Sequence, residues 1–348
     1  MTMRDQLLDL IVEKGPIPFE EFQERALYGT GGFFVGDVLR SVKAGDFLTS
    51  PEVSPLFGAT LGAFVTAEAG RLGAMPRVVE VGTGSGSLLK ALLKVVDAET
   101  WAVEISMAAQ IATSYVVGEE RVVASLADVP FDGPVVVIAN ELLDNVPVAI
   151  AVRTGSGWEE RWIGVDGGDL CLVAAPIRDE VADWVERFGG DVPVGGLVEA
   201  HVLGDAWFRD VLGRIETGTV CIIDYGDTAE ALAPRRSFGT LRTYRSHHLG
   251  PDPLAFPGET DITADVNFSS LLAICGELDW EATLQRQEDF LTEYGLRAQL
   301  SEFRRQELAL ARDGDPMDRL MVRSRKNEAE TLLHSRGLGD FRVLTARH

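Results

Sequence analysis

A chain of 348 residues with 46% hydrophobic and 8% aromatic residues can bury a large core, which excludes wholesale disorder. Its 54 Asp and Glu against 32 Lys and Arg give a net charge of -22, a field that repels phosphate backbones and argues against a nucleic-acid partner. Cys171, Cys221 and Cys275 form no C-x-x-C pair and His247-His248 has no companions at metal spacing, so neither a disulfide framework nor a metal site is expected.

The N-terminus, MTMRDQLLDLIVEKG, mixes acids into its apolar pattern and reads as neither a secretory signal nor an Arg-rich transit peptide. No stretch has the length of a membrane span, so the expected compartment is the cytoplasm and no membrane partner is expected. Residues 3–13 and 18–27 read as short amphipathic helices parted by Gly15-Pro16, and 56–73 as a helix ending near Gly73. RVVEVGTGSGSLLKALLKVV then gives an apolar strand, a glycine turn and a leucine-rich helix. TWAVEIS is a second strand, residues 107–118 a helix, RVVAS a third strand and PVVVIAN a fourth, apolar on both faces as a central parallel strand should be. Strands alternating with helices imply a doubly wound α/β sheet.

From 148 to 174 the runs turn strand-like with glycine punctuation, which suggests an inserted antiparallel excursion. Helical patterning returns at DEVADWVERFG and DAWFRDVLGRIE, and GTVCIIDYG is another buried strand. A Pro- and Gly-rich loop follows at 250–260, then helices from about 266 to 335 and a closing strand, FRVLTA.

Gly82, Gly84 and Gly86 form a G-x-G-x-G turn that lets backbone approach a ligand. Glu104 ends the next strand 22 residues after Gly82, where an acid can bind both hydroxyls of an adenosine ribose. NAD enzymes share that arrangement, but their pattern needs Gly or Ala where this chain has Ser87. Glu80, two residues before the first glycine, can orient a cationic amino-acid moiety, which favours S-adenosylmethionine (SAM) over NAD or a ligand-free turn. The second constellation is NELLDNVPV, leaving the carboxyl end of the fourth strand, the rim where open sheets bind ligands. Its Asn140, Glu141 and Asp144 are either turn formers or carboxylates gripping the methyl acceptor. Asp224 and Tyr225 lie at the end of the strand in IIDYG, as a simple turn or as substrate contacts.

Five blocks in order, GDFLTSPEVSPLFG, VVEVGTGSGSLL, ANELLDNVPV, CIIDYG and DPLAFPGETDITADVNFSSL, resemble the MidA-like family of class I SAM-dependent methyltransferases. The resemblance implies a Rossmann-like seven-stranded sheet with N-terminal helices and C-terminal helical additions, and SAM as methyl donor. The family includes a mitochondrial complex I assembly factor that methylates protein arginine, so a protein acceptor, favoured as basic by the charge, is implied. NELLD is also similar to the first half of the double-glutamate loop of symmetric arginine methyltransferases, whose second glutamate has no obvious counterpart here unless Asp144 substitutes. The family commonly reads ITAHVDF where this chain has Asp265 and Asn267. The third strand ends without the acid many class I enzymes offer to adenine, which leaves Ser125 for that contact.

The resemblance places the segment around GDFLTSPE as a lid over the strand ends. Asp46 and Ser50 are expected toward the cofactor, Thr49 and Glu52 toward the substrate, with a plain cap and loop as the alternative. The expected organisation is N-terminal helices and lid at 1–73, a SAM-binding core at 74–147, an inserted antiparallel and helical region at 148–200, and the rest of the methyltransferase core with helical additions at 201–348. The catalytic candidates are Glu141, Asp144 and Asn140; Glu80, Gly82, Gly84, Gly86, Glu104 and Ser125 are expected on SAM. The rivals are a small-molecule methyltransferase on the same fold and a SAM-binding, chaperone-like assembly factor that docks a partner.

Overall fold

The computed structural model describes residues 1–35, 39, 49–245 and 248–348. Two compact units are formed from interleaved segments: Leu39–Asn140, Ile215–Asp224 and Glu281–His348 make one, and Met1–Val38, Glu141–Arg214 and Tyr225–Trp280 the other. No helix among the described residues is long and apolar enough to cross a membrane.

The first unit is built on a seven-stranded sheet. Its strands are β1 (Arg77–Val81), β2 (Thr100–Val103), β3 (Val122–Val123), β4 (Val135–Asn140), β5 (Gly218–Asp224), β6 (Glu281–Arg286) and β7 (Arg342–Arg347). The spatial order is β6-β7-β5-β4-β1-β2-β3, with β1 to β5 parallel and β7 antiparallel to both neighbours. Every residue of β4 and β5 is buried, which is why residues 135–139 and 220–223 are unbroken apolar runs. The doubly wound expectation is met, and its carboxyl-end rim is where the glycine turn and Asn140 emerge.

Around this sheet run α1 (Ser50–Val53), α2 (Pro55–Leu72), α3 (Ser87–Leu92), α4 (Met107–Val117), α5 (Gln287–Glu293), α6 (Leu296–Asp313) and α7 (Pro316–Leu332). Helix α2 starts cleanly because Ser54 Oγ accepts from the Leu56 amide at 3.2 Å and Pro55 has no donor to lose. It ends at Gly73, which takes the left-handed conformation. A Cβ on Gly58 would lie 2.6 Å from the Leu88 carbonyl oxygen, so glycine lets α2 approach α3 backbone to backbone. Phe57, Leu61 and Phe64 of α2 join Val78, Leu88, Leu89, Ile138 and Phe290 in the core. Truncating Phe64 to Ala should cost roughly 3–5 kcal/mol.

Residues 281–286 correct one expectation. The run EATLQR was expected within helices spanning 266–335, but it is the edge strand β6 on β7. None of its residues is fully buried, Glu281 and Thr283 are exposed, and the polar residues of an edge mask the strand period.

The second unit carries the expected antiparallel excursion. Its sheet runs Ile17–Pro18, Gly157–Asp166, Ala149–Thr154, Leu197–Ala200, with Asp169–Pro176 also paired to Gly157–Asp166. The helix Asp179–Phe188 covers it with Val181, Trp184 and Val185. The N-terminal helices run Met3–Lys14 and Phe19–Tyr28, one residue from the expected bounds.

Candidate active site

In the first unit, β1 delivers Glu80 and Val81 to the glycine turn. Gly82, Gly84 and Gly86 have φ of 74°, 51° and 74°, a backbone that side-chain-bearing residues rarely adopt. Thr83 Oγ1 and Thr113 Oγ1 of α4 are hydrogen-bonded at 3.0 Å. Just past β2, Glu104 accepts from the Gly84 amide on Oε2 at 3.0 Å and from the Ser106 amide on Oε1 at 2.8 Å. The acid expected to hold a ribose therefore also fixes the turn.

Glu80 is buried, and its Oε2 has no hydrogen-bond partner among the described residues. Burial first, and then the charge of Glu104, hold its carboxyl well above the usual range. Burial also raises Glu104, against the pull of backbone donors at Ser106 and Gly84. Two buried acids side by side, with no cation paired to them among the described residues, form an electrostatic deficit.

Thr49 caps α1 by backbone alone, and Ser50 is buried with its Oγ accepting from Gln287 Nε2 at 3.3 Å. Glu52 Oε1 accepts from Ser85 Oγ and, at 2.7 Å, from Ser87 Oγ. The structure thus brings Glu52 to the glycine turn. Ser125 is exposed, and its hydroxyl accepts from the Ala127 amide at 3.2 Å. Asp46 lies outside the described residues. Asn140 ends β4 and Asp224 ends β5, both buried.

The NELLD loop continues in the second unit. Glu141 has φ of 51°, one of two non-glycine residues with positive φ among the described residues. Such backbone costs on the order of 1–3 kcal/mol and concentrates at functional sites. Asp144 is buried, and its Oδ2 accepts from the Tyr225 hydroxyl. The Arg242 guanidinium sits 5.0 Å from the Tyr225 ring centroid. Burial pushes Asp144 up to about 6, opposed by the Tyr225 hydrogen bond and the charge of Arg242. The loop is pinned by the Ala264 amide donating to the Asp144 carbonyl at 2.9 Å and by Asn145 Nδ2 donating to Asp261 Oδ1 at 2.8 Å.

The two departures from the family pattern have structural employment. Asp265 is hydrogen-bonded by Arg242 and lies 3.8 Å from Arg235. Asn267 caps the helix Phe268–Glu277 by accepting from the Ser269 amide at 3.1 Å. Sequence reasoning missed Arg242, Ser85 and Ser87 as site residues. The serines lie within or beside the glycine pattern and could have been read from it, whereas nothing local marks Arg242, about a hundred residues from Asp144.

With this geometry in place, the family model described as "Putative S-adenosyl-L-methionine-dependent methyltransferase" matches residues 60–284. The chain belongs to this family. It is 29% identical over 311 residues to the mouse protein named protein arginine methyltransferase NDUFAF7, mitochondrial, covering 77% of this chain and 68% of the relative. Against the Caenorhabditis elegans homologue, identity is 26% over 345 residues, covering 84% of this chain and 76% of the relative. A Burkholderia thailandensis protein solved bound to S-adenosyl-homocysteine superposes with a TM-score of 0.87 at 28% identity, covering 99% of this chain and 92% of that one.

The chain is thus a SAM-dependent methyltransferase with the class I fold, and the NAD alternative falls. The cytoplasmic expectation is also corrected, because these relatives are named as mitochondrial. That expectation rested on what the first residues lack, which does not identify a compartment. The residues fit the donor: SAM carries a sulfonium and an ammonium, and the Glu80–Glu104 pair is a buried anionic site without a paired cation among the described residues. Glu80, the glycine turn and Glu104 would hold it.

Proposed function

We propose that the chain transfers the methyl of SAM to an arginine side chain of a protein, with Glu141 and Asp144 holding the guanidinium. The observation that carries this reading is the NELLD loop. It has a carboxylate on left-handed backbone at Glu141 and a buried carboxylate at Asp144 fixed by a tyrosine hydroxyl. The names of the relatives support the same acceptor class.

SAM supplies an electrophilic methyl on sulfur. The chain's own task is to make a guanidinium nitrogen nucleophilic, although that group stays protonated in proteins. Glu141 accepts N–H hydrogen bonds on one edge of the guanidinium and concentrates its positive charge on the nitrogens held there. The free nitrogen then carries more electron density for in-line attack. Asp144, with its pKa raised by burial, serves as the second hydrogen-bond acceptor and as a station for the proton that leaves the alkylated nitrogen. Asn140 orients the loop from the end of β4. Tyr225 acts through its hydroxyl on Asp144. Catalysis on this reading is mainly positioning and charge placement.

A basic protein acceptor suits the net charge of -22. The test is mass spectrometry of methyl marks in lysates incubated with the enzyme and isotopically labelled SAM. Label on protein arginine is the expected outcome. Label confined to a small metabolite overturns the arginine reading and leaves the methyltransferase standing; no transferred label at all would favour a docking role.

A further inference from the structure

We propose that Glu52 is a positioning residue of the methyl-donor site, holding the glycine turn in its binding shape through Ser85 and Ser87. The inference rests on the assignment of that turn to SAM. A turn with three glycines loses much conformational freedom on ordering, so it needs outside restraint. Thr83 is tied to Thr113 by hydroxyls at 3.0 Å, and the Gly84 amide donates to Glu104. Ser85 and Ser87 both donate to Glu52, their hydroxyl oxygens lie 2.7 Å apart, and the Ser87 amide donates to Ser85 Oγ at 3.3 Å.

A hydroxyl carries a single proton, whereas a carboxylate only accepts, so Glu52 sets the direction of both serine hydroxyls at once. It can do so because α1 is itself tethered. Ser50 accepts from Gln287 Nε2 of α5 at 3.3 Å, and Ser54, just after α1, donates to Glu328 of α7 at 2.7 Å. Helices distant in sequence thereby brace the donor turn by way of Glu52. This role differs from the substrate contact expected of Glu52, and it makes a different kinetic prediction.

Calorimetric titration with S-adenosylhomocysteine and steady-state kinetics decide between them. Glu52→Ala should weaken S-adenosylhomocysteine about tenfold or more and raise KM for SAM, with kcat at saturating SAM largely kept. Glu52→Gln, which keeps an acceptor oxygen, should recover part of the loss. Ser85→Ala/Ser87→Ala should reproduce the Glu52→Ala effect, and combining all three should add little, because one interaction is removed once. Hydrogen exchange of the ligand-free turn should rise in each variant. Unchanged affinity with only a lower Tm would reduce Glu52 to a scaffold tether and overturn the proposal. A raised KM for the acceptor with KM for SAM unchanged would place Glu52 on the acceptor side and overturn it equally. Glu104→Ala is the control for the assignment beneath: if it too binds normally, the donor site itself is misplaced.

Discussion

The buried acids at the glycine turn and those around Asp144 differ in their partners, although burial raises the carboxyls of both sets. Around the glycine turn, Glu80 and Glu104 are buried side by side, and burial raises both carboxyls. In the second unit, Asp144 and Asp265 are buried too, yet each has an internal partner: the Tyr225 hydroxyl for one, Arg242 and Arg235 for the other. The first cluster has no paired cation among the described residues and, on the proposed reading, takes a positively charged ligand. The second already has internal partners, so an incoming guanidinium must exchange for contacts the chain makes with itself. Tight binding is therefore expected of the donor, and selectivity by exchange of the acceptor.

The largest expected effect falls on the first cluster. Glu104→Ala removes the ribose acceptors and also the carboxylate that holds the Gly84 and Ser106 amides. S-adenosylhomocysteine affinity should drop by roughly 2–4 kcal/mol in a calorimetric titration. Equal affinity in mutant and wild type would move the ribose elsewhere and erase the contrast between the clusters.

Next comes Glu141→Gln, which keeps shape and one acceptor oxygen but removes the charge that localises the guanidinium. A fall in kcat of about 10²-fold is expected, with S-adenosylhomocysteine affinity nearly unchanged. Methylation of arginine at the wild-type rate would make this loop structural despite its strained backbone.

A smaller effect follows from Asp144. Its carboxyl is pushed up to about 6, so the ionised form that accepts from a guanidinium gains population as pH rises. On the acceptor side kcat/KM should climb by up to tenfold per pH unit below about 6 and level off above it. The stability sign is the reverse. A folded pKa above the unfolded one favours the folded state at low pH, and that contribution is lost as pH rises through about 6. Asp144→Asn should thus fold at least as stably at pH 7 while the pH dependence disappears. A profile that keeps its shape in Asp144→Asn would assign the titration to another group.

How much of this could be read beforehand depended on whether the information was local. The strand, turn and acid of the donor half lie within some thirty residues, and each carries its own signal: unbroken apolar runs, positive-φ glycines, an acid at a strand end. The placement of Glu80, Gly82 and Glu104 at a strand end and its turn was legible for that reason. The strand Glu281–Arg286 was not, because an edge position leaves Glu281 and Thr283 exposed and no residue fully buried. Arg242 was illegible for a different reason. Its place beside Tyr225 and Asp265 is made by tertiary folding, and an arginine in a loop-rich stretch has no periodicity to betray it. Glu52 falls between: the segment was singled out for its density of polar groups, but its partners Ser85 and Ser87 required the structure.

The smallest predicted effect is the most direct test of the missing cation. Burial and the neighbouring Glu104 hold the Glu80 carboxyl well above the ordinary carboxylate range, so the ligand-free protein keeps a proton there at pH values where an exposed glutamate has lost it. A cationic ligand beside the pair favours the ionised form and brings the pKa back down. Binding of SAM must then expel a proton, and affinity must rise with pH across the interval between the free and bound pKa values. The share of that slope due to Glu80 cannot exceed one proton, about tenfold per pH unit. Calorimetry in two buffers of different ionisation enthalpy measures the proton count directly. S-adenosylhomocysteine keeps the ammonium but lacks the sulfonium charge, so it should release fewer protons than SAM. In Glu80→Gln the release should fall to what Glu104 alone contributes and the affinity depend less on pH, because the amide mimics the protonated acid and has nothing to lose. Should SAM bind to wild type with no proton released, Glu80 is already ionised or faces no charge on the ligand. The contrast between the two clusters would then be lost.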